Sequence, residues 1–405
     1  MNARIAVVGA GMAAARFAQQ YQDLGGKAEV TLYGAEPRAP YNRVLLADVL
    51  TGRYDPEAIA LPAGTALLRT GAEVVELDLA ARTLRLSGGG RAGYDELVLA
   101  TGANPVLPPI HGLRAPGGDL IAGVHALRTL ADCRGLAEAA SGAARAVVIG
   151  GGVLGVSAAR ALAALGLPVE IVHQGPHLIE RQLDAQAGAA LRSALAGLGV
   201  EVYLCNRARA LHGGGRVDGV ELANGYRLTT DLVVLACGVR PRTGLAHTAG
   251  LLVRTGVVVD DRLAASHPGV YAIGDCTEHR GTVHGLSGPA WEQADVLAAK
   301  LSGAEPDREY TGSRPLTRLS AGPLEYAAFG EVDDETHQAD SGHHVLRLAD
   351  ATRGSYKKLV LRGDRLVGGI LLGDLATVGA LTRAYERDEP LPEDPLHLLT
   401  TRGAR

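Results

Sequence analysis

Two stretches of the chain share one order of apolar, glycine and helix-spaced positions. In IAVVGAGMAAARFA an apolar run at 5–8 leads into glycines and then small residues at helical spacing. From Val147, VVIGGGVLGVSAARAL repeats the order, with an apolar run to Ile149 and a helix expected over 156–164. Each is followed by a second strand pattern, AEVTLYG after the first and PVEIVHQ after the second. Continuous apolar runs of this length fit parallel strands buried on both faces. YDELVLATGANP supplies a further strand pattern ending in the small-residue turn Ala-Thr-Gly, and HPGVYAIGDCTE another, followed by Gly274-Asp275. Nearer the C-terminus, YKKLVLRGDRLVGGILLGD reads as a β-hairpin turning at Gly363-Asp364. LATVGALTRAYER reads as a helix with Leu375, Val378 and Leu381 on one face, and GEVDDETHQADSGHH as an exposed loop.

The glycines give the two copies their chemistry. Gly9-Ala-Gly11-Met-Ala-Ala14 fits G-x-G-x-x-A, and Gly150-Gly-Gly152-Val-Leu-Gly155 fits G-x-G-x-x-G. The first glycine allows the tight turn, the second admits a pyrophosphate to the backbone, and the small third residue lets helix and strand pack closely. The following helix presents free N–H groups and the positive end of its dipole to the phosphates. Two correctly framed units point to two nucleotides. Glu36, just after the second strand of the first unit, is a candidate acceptor for ribose hydroxyls.

Composition narrows the class without naming a ligand. With 405 residues, two or three domains are expected; a 47% hydrophobic content and net charge of -4 describe a globular chain with ample core. Near-balanced charge points to neither nucleic acid nor a membrane surface. No apolar run reaches the roughly 18 residues of a membrane span. The first strand begins too near Met1 to leave room for a cleaved leader, so the cytoplasm is the expected location. Cys133, Cys205, Cys237 and Cys276 are widely spaced, unlike a disulfide framework or an iron–sulfur ligand set. DCTEHRGTVHG, with Cys276, His279 and His284, matches no zinc spacing and reads as a polar loop; no metal site is expected.

With the Ala-Thr-Gly turn at 100–102 and Gly274-Asp275 in place, residues 1–305 resemble the glutathione-reductase-like flavoproteins with two dinucleotide folds. That resemblance implies an α/β protein whose FAD-binding domain, 1–112 and 238–305, is interrupted by an NAD(P)-binding domain, 113–237. A C-terminal α+β domain would occupy 306–405. It implies that Gly9, Gly11, Met12, Ala13, Glu36, Arg43, Val74, Ala100, Thr101, Gly102, Arg128, Gly274 and Asp275 hold FAD. Asp275 would hold the ribityl chain, and Arg128 matches a pyrophosphate-binding arginine of ferredoxin reductases. NADH or NADPH would lie on Gly150, Gly152, Val153, Leu154 and Gly155, near His173, Arg181 and Gly238.

Within that family, disulfide reductases carry C-x4-C on the helix after the second strand, and peroxidase-like members carry one cysteine. GAEPRAPYNRVLLADVL has none, so a thiol relay there is excluded. PYNRVLLADVL, HLIERQLDAQAGAAL and YTGSRPLTRLSAG are most similar to the flavoprotein part of the NAD(P)H nitrite reductase large subunit. Rubredoxin and ferredoxin reductases are more distant. The resemblance covers the flavoprotein part alone, so neither a cysteine-rich iron–sulfur segment nor a sirohaem domain is expected within these 405 residues. Asp48 stands where relatives place a lysine near the flavin and is expected on the helix surface; Ser157 replaces a glutamate. His173 stands where an acid would select NADH, leaving Arg181 free to bind a 2′-phosphate or simply to face solvent. The resemblance therefore implies a flavoprotein without catalytic side chains, passing hydride from NAD(P)H to FAD and electrons to a separate iron–sulfur or sirohaem protein. A flavin oxidase or dehydrogenase of a small metabolite and a redox-sensing flavoprotein are the alternatives.

Overall fold

The computed structural model describes residues 3–314, 316–321, 324–332, 342–350, 352–391 and 397–400. These fall into two compact units, Met1–Leu45 with Tyr54–Asn104 and Val239–Pro315, and Leu46–Arg53 with Pro105–Gly238 and Leu316–Arg405.

In the first unit, Ile5, Ala6, Val7 and Val8 are all buried, and strand Arg4–Val8 lies central in a parallel sheet. Its order is Val270–Ala272, Glu96–Leu99, Arg4–Val8, Glu29–Tyr33 and Leu67–Arg69. One sheet thus takes strands from both sides of the long insertion. Helix Met12–Asp23 buries Ala14, Ala15, Phe17, Ala18 and Tyr21, the i, i+3, i+4, i+7 stripe of a core-facing helix. It packs on helix Ser287–Ser302. Arg16 Nε and Nη2 clamp the two by donating to the Asp295 carboxylate at 2.7 and 2.9 Å. A small antiparallel ribbon, Val74–Asp78, Thr83–Leu86 and Arg91–Gly93, completes this unit's sheets beside short pairings.

The second unit holds the repeat. Strand Ala146–Ile149 is wholly buried, central in the parallel order Val200–Tyr203, Val169–Val172, Ala146–Ile149, Leu232–Leu235 and Val124–Ala126. Helix Val153–Ala164 follows its glycine turn, starting three residues earlier than the sequence pattern suggests because Gly152 is itself the N-cap. Helix Leu130–Ser141 opens on a capping box, in which Thr129 accepts from Asp132 N–H and Asp132 accepts from Thr129 N–H.

The C-terminal part is a five-stranded antiparallel sheet in the order Leu316–Ala321, Leu324–Gly330, Arg365–Leu372, Ser355–Arg362 and His343–Asp350. The expected hairpin is present: Arg362 pairs with Arg365 across Gly363-Asp364, and Gly363 takes φ +61°. Helix Val378–Arg387 packs on it, burying Val378, Leu381 and Tyr385. The helix begins after Leu375 because the Asp374 carboxylate accepts from Ala376 N–H at 3.0 Å and holds a turn there. Of the expected acidic loop, 333–341 lie outside the described residues, while His343 and His344 belong to a strand, not a loop. The 276–284 stretch also differs from the polar loop expected. Cys276 and His279 are buried, and Thr277–His279 is a strand. His279 Nε2 meets Asp261 at 2.8 Å and its ring packs on Tyr310, which satisfies a polar side chain inside.

Candidate nucleotide-binding sites

Both glycine turns sit at the C-terminal edge of a parallel sheet, and both depend on the absence of a side chain. Gly9 adopts φ +110°, and a Cβ there would lie 2.1 Å from the Ala100 carbonyl oxygen. Gly150 adopts φ +113°, with its imagined Cβ 2.3 Å from the Ala236 carbonyl oxygen. In each case the turn is pinned to a neighbouring strand, Gly9 N–H donating to Tyr33 and Gly150 N–H to Val172. Gly155 closes the second turn, since a methyl there would come within 1.9 Å of the Gly150 carbonyl oxygen.

The middle glycines behave differently. A Cβ at Gly11 or Gly152 would meet nothing within 4 Å. Each is the N-cap of its helix, and neither helix has a side-chain cap. Both turns therefore leave first-turn N–H groups and open space beside the backbone, which is what a pyrophosphate requires. The residues present fit a dinucleotide at each turn.

Around the first turn, Gly274 is brought against Ala13: a Cβ on Gly274 would stand 3.0 Å from the Ala13 methyl. Gly274 N–H donates to the buried Gln293 Oε1 at 2.7 Å, fixing the Gly274–Cys276 turn that carries half-buried Asp275. Gln293 was not singled out by the sequence, although its place on the inward face of helix Ser287–Ser302 signals it. The Thr101 hydroxyl donates to the Arg242 carbonyl at 2.6 Å, and the Gly102 carbonyl accepts from Arg242 N–H at 2.8 Å. Glu36 accepts from the Tyr41 hydroxyl at 2.7 Å and pairs with Arg43 at 2.5 Å, while the Arg43 guanidinium lies over the Tyr41 ring. Met12 opens the helix, and Val74 stands at the start of the antiparallel ribbon, half-buried. Arg128 belongs to the second unit, two residues before helix Leu130–Ser141, not on its surface.

At the second turn, Val153 and Leu154 begin the helix, and the Ser157 hydroxyl is turned inward to the Val153 carbonyl at 2.8 Å. Gly238, at φ +94°, accepts from Val106 N–H. His173 is buried rather than solvated, because its Nδ1 accepts from Gly151 N–H at 3.2 Å. Arg181 is exposed. Asp48 departs from the expected helix surface as well: it is buried, paired with Arg160 at 3.4 Å and Arg53 at 3.6 Å. The partner arginine lies in the second unit's fingerprint helix, a contact no local pattern could signal. All four cysteines are free. Burial and nearby Asp132 push the Cys133 thiol up to about 11, and burial does the same to Cys237.

Residues 3–294 match the pyridine nucleotide-disulphide oxidoreductase family. The chain belongs to that family. Its members use FAD and NAD(P)H. Residues 315–389 of this oxidoreductase match the rubredoxin NAD+ reductase C-terminal domain, covering much of the antiparallel sheet. It is 35% identical to nitrite reductase [NAD(P)H] of Bacillus subtilis, covering 96% of this chain and 48% of that protein. With the ferredoxin–NAD(+) reductase component of the biphenyl dioxygenase system of Paraburkholderia xenovorans it shares 30% identity, over 90% of this chain and 85% of that one. The crystal structure of a ferredoxin reductase from Rhodopseudomonas palustris superposes with a TM-score of 0.85 at 26% identity, covering 96% of each chain. The oxidoreductase thus spans about half the length of the nitrite reductases it matches. None of the described helices is long and apolar enough to cross a membrane.

Proposed function

We propose that this chain is a cytoplasmic NAD(P)H:acceptor oxidoreductase without a redox-active disulfide, delivering electrons to a separate redox protein. The observation that carries the reading is the pair of glycine turns, each pinned to its sheet and each with open space at its middle glycine. The first, with Gly9, Gly11, Met12 and Ala13, takes the FAD pyrophosphate, and the second takes the nicotinamide nucleotide. The FAD-binding domain is then 1–112 with 238–305, the NAD(P)-binding domain 113–237 and the C-terminal domain 306–405.

Bound FAD supplies hydride acceptance from NAD(P)H and electron release to an acceptor. The chain's own residues orient and hold. Glu36 keeps acceptor capacity for ribose hydroxyls beyond its bonds to Tyr41 and Arg43, since a carboxylate offers about four lone-pair sites. Gln293 fixes the Gly274 backbone, so that Asp275 is presented for the ribityl chain. A thiol relay of the disulfide-reductase kind takes no part, because no cysteine lies in 34–50, and Cys133 and Cys237, pushed up to about 11, stay protonated near neutrality. The acceptor is a separate iron–sulfur or sirohaem protein, a reading supported by the nitrite reductase and ferredoxin reductase relatives.

Anaerobic titration of the FAD-loaded chain with NADH and with NADPH tests the proposal. Flavin absorbance near its visible maximum is expected to bleach with at least one of them. A flavin that stays oxidised with both would favour the oxidase of a small metabolite.

A further inference from the structure

The strand Val169–Val172 ends at His173, where a dinucleotide fold ordinarily presents an acid to the adenosine ribose. His173 does not offer itself there. Its Nδ1 is used by Gly151 N–H, so the ring proton sits on Nε2, which faces the Glu180 carboxylate at 3.5 Å.

The segment carrying Glu180 is folded back on the same glycine turn. Ile179 N–H donates to the Gly151 carbonyl at 2.9 Å. Leu178 is fully buried against Gly151, where an added Cβ would come 2.5 Å from its Cδ2. Ile179 holds φ +54°, a left-handed conformation that a β-branched residue adopts only when its surroundings impose it. The next residue is Glu180, with 38% of its side chain exposed. Gly175 makes room for it, since a Cβ there would stand 1.6 Å from a Glu180 carboxylate oxygen. A loop rigidly docked on the phosphate turn therefore holds a partly exposed carboxylate beside the end of the second strand.

We infer that Glu180 selects the nicotinamide nucleotide, accepting the adenosine ribose hydroxyls and repelling a 2′-phosphate, so that the site takes NADH. The inference rests on the reading of the second turn as the nicotinamide-nucleotide site. His173 acts as a positioning residue: anchored to Gly151 through Nδ1, it sets Nε2 3.5 Å from the Glu180 carboxylate, with no direct hydrogen bond between them. Arg181, one position on, is exposed and does not set the preference.

Calorimetry on the FAD-loaded full chain, with NAD+ and NADP+ as probes, tests this. Wild type is expected to bind NAD+ about tenfold or more tightly than NADP+, and Glu180→Gln to shrink that ratio about tenfold by removing the charge. His173→Gln is expected to shrink it less, and Arg181→Ala to leave the preference for NAD+ in place. Glu180→Ala, measured with FAD content and melting temperature, guards against a change specific to glutamine. An unaltered ratio in both Glu180 variants, with NAD+ still bound, overturns the inference alone. So does a wild-type preference for NADP+ that Arg181→Ala abolishes. Failure of wild type to bind either nucleotide overturns the site reading and this inference together.

Discussion

Gly152 and Gly155 are three positions apart in one turn, yet a methyl group at each would meet opposite surroundings. Gly152, at φ -75°, faces open space, so Gly152→Ala is expected to leave the folding free energy within about 0.5 kcal/mol of wild type. The same methyl would occupy the space proposed for the pyrophosphate, and nicotinamide-nucleotide affinity is then expected to fall steeply. Gly155→Ala drives a methyl into the Gly150 carbonyl and should cost about 1–3 kcal/mol of stability. Denaturant melts and nucleotide titrations on both variants separate the two roles; equal melts would show that the turn relaxes around either methyl. For the flavin, Asp275→Ala is expected to weaken FAD binding by about 1.5–3 kcal/mol through loss of a charge-assisted hydrogen bond. Wild-type FAD affinity in that variant would remove Asp275 from the site. At this scale the glycines were legible because their requirement is local: strand, turn and helix are consecutive in the sequence. Asp48 and His173 were not, because their burial is decided by Arg160 and Gly151, which the chain brings in from elsewhere.

Between elements, the least expected feature is a buried ionic group tying helix Ala185–Ala196 to the C-terminal sheet. Asp184 caps that helix, accepting from Ala187 N–H at 2.9 Å, and also accepts from Lys358 Nζ at 3.1 Å and the Tyr356 hydroxyl at 2.7 Å. Lys358 is fully buried and donates in addition to the Val332 carbonyl at 2.7 Å. Removing a cap costs about 1 kcal/mol, whereas stranding a buried partner charge costs about 3–5 kcal/mol. Asp184→Ala is therefore expected towards the larger figure. The double variant Asp184→Ala with Lys358→Met should lose less than the two single losses added together. Additivity in a double-mutant cycle of urea melts would show that the pair is not coupled. Asp261 gives a pH signature. Hydrogen bonds from Arg280 and His279 hold its carboxyl down at about 2, below the ordinary ~3.9. A depressed native value means the stabilisation is complete above the unfolded value and lost as pH falls through the native one. The denaturation midpoint should drop over that window, and drop less in Asp261→Asn; parallel curves would contradict this. Sequence patterns captured the parallel strands and the 363–364 hairpin, whose signals are runs of apolar residues and a two-residue turn. They did not capture strand Thr277–His279, because polar Thr277, Glu278 and His279 are buried only by partners such as Asp261 and Glu278's bonds to Thr255 and Gly256 N–H.

At the scale of the whole molecule, electrons taken up by the flavin must leave it for an acceptor. The helix that carries a thiol pair in disulfide reductases carries none here, and instead sets Asp48 against Arg160. Among the described residues, no three His, Cys, Asp or Glu side chains are grouped to hold a metal ion. Cys133 and Cys237, pushed up to about 11, remain thiols near neutrality. The site proposed here is a flavin, a two-electron carrier, whereas six-electron reduction of nitrite needs a centre able to hold the substrate through successive transfers. The chain's kinship to nitrite reductase covers about half of that protein's length, and its kinship to a ferredoxin reductase covers most of one. Both relationships support the proposal that this chain hands electrons to another protein. The FAD-loaded chain with NADH is accordingly expected to reduce an artificial acceptor such as ferricyanide rapidly while leaving nitrite unchanged. Nitrite consumption should begin only when an iron–sulfur or sirohaem protein is supplied. Measured as NADH oxidation and nitrite loss in the same anaerobic cuvette, nitrite reduction by the pure chain would refute the assignment of a separate acceptor.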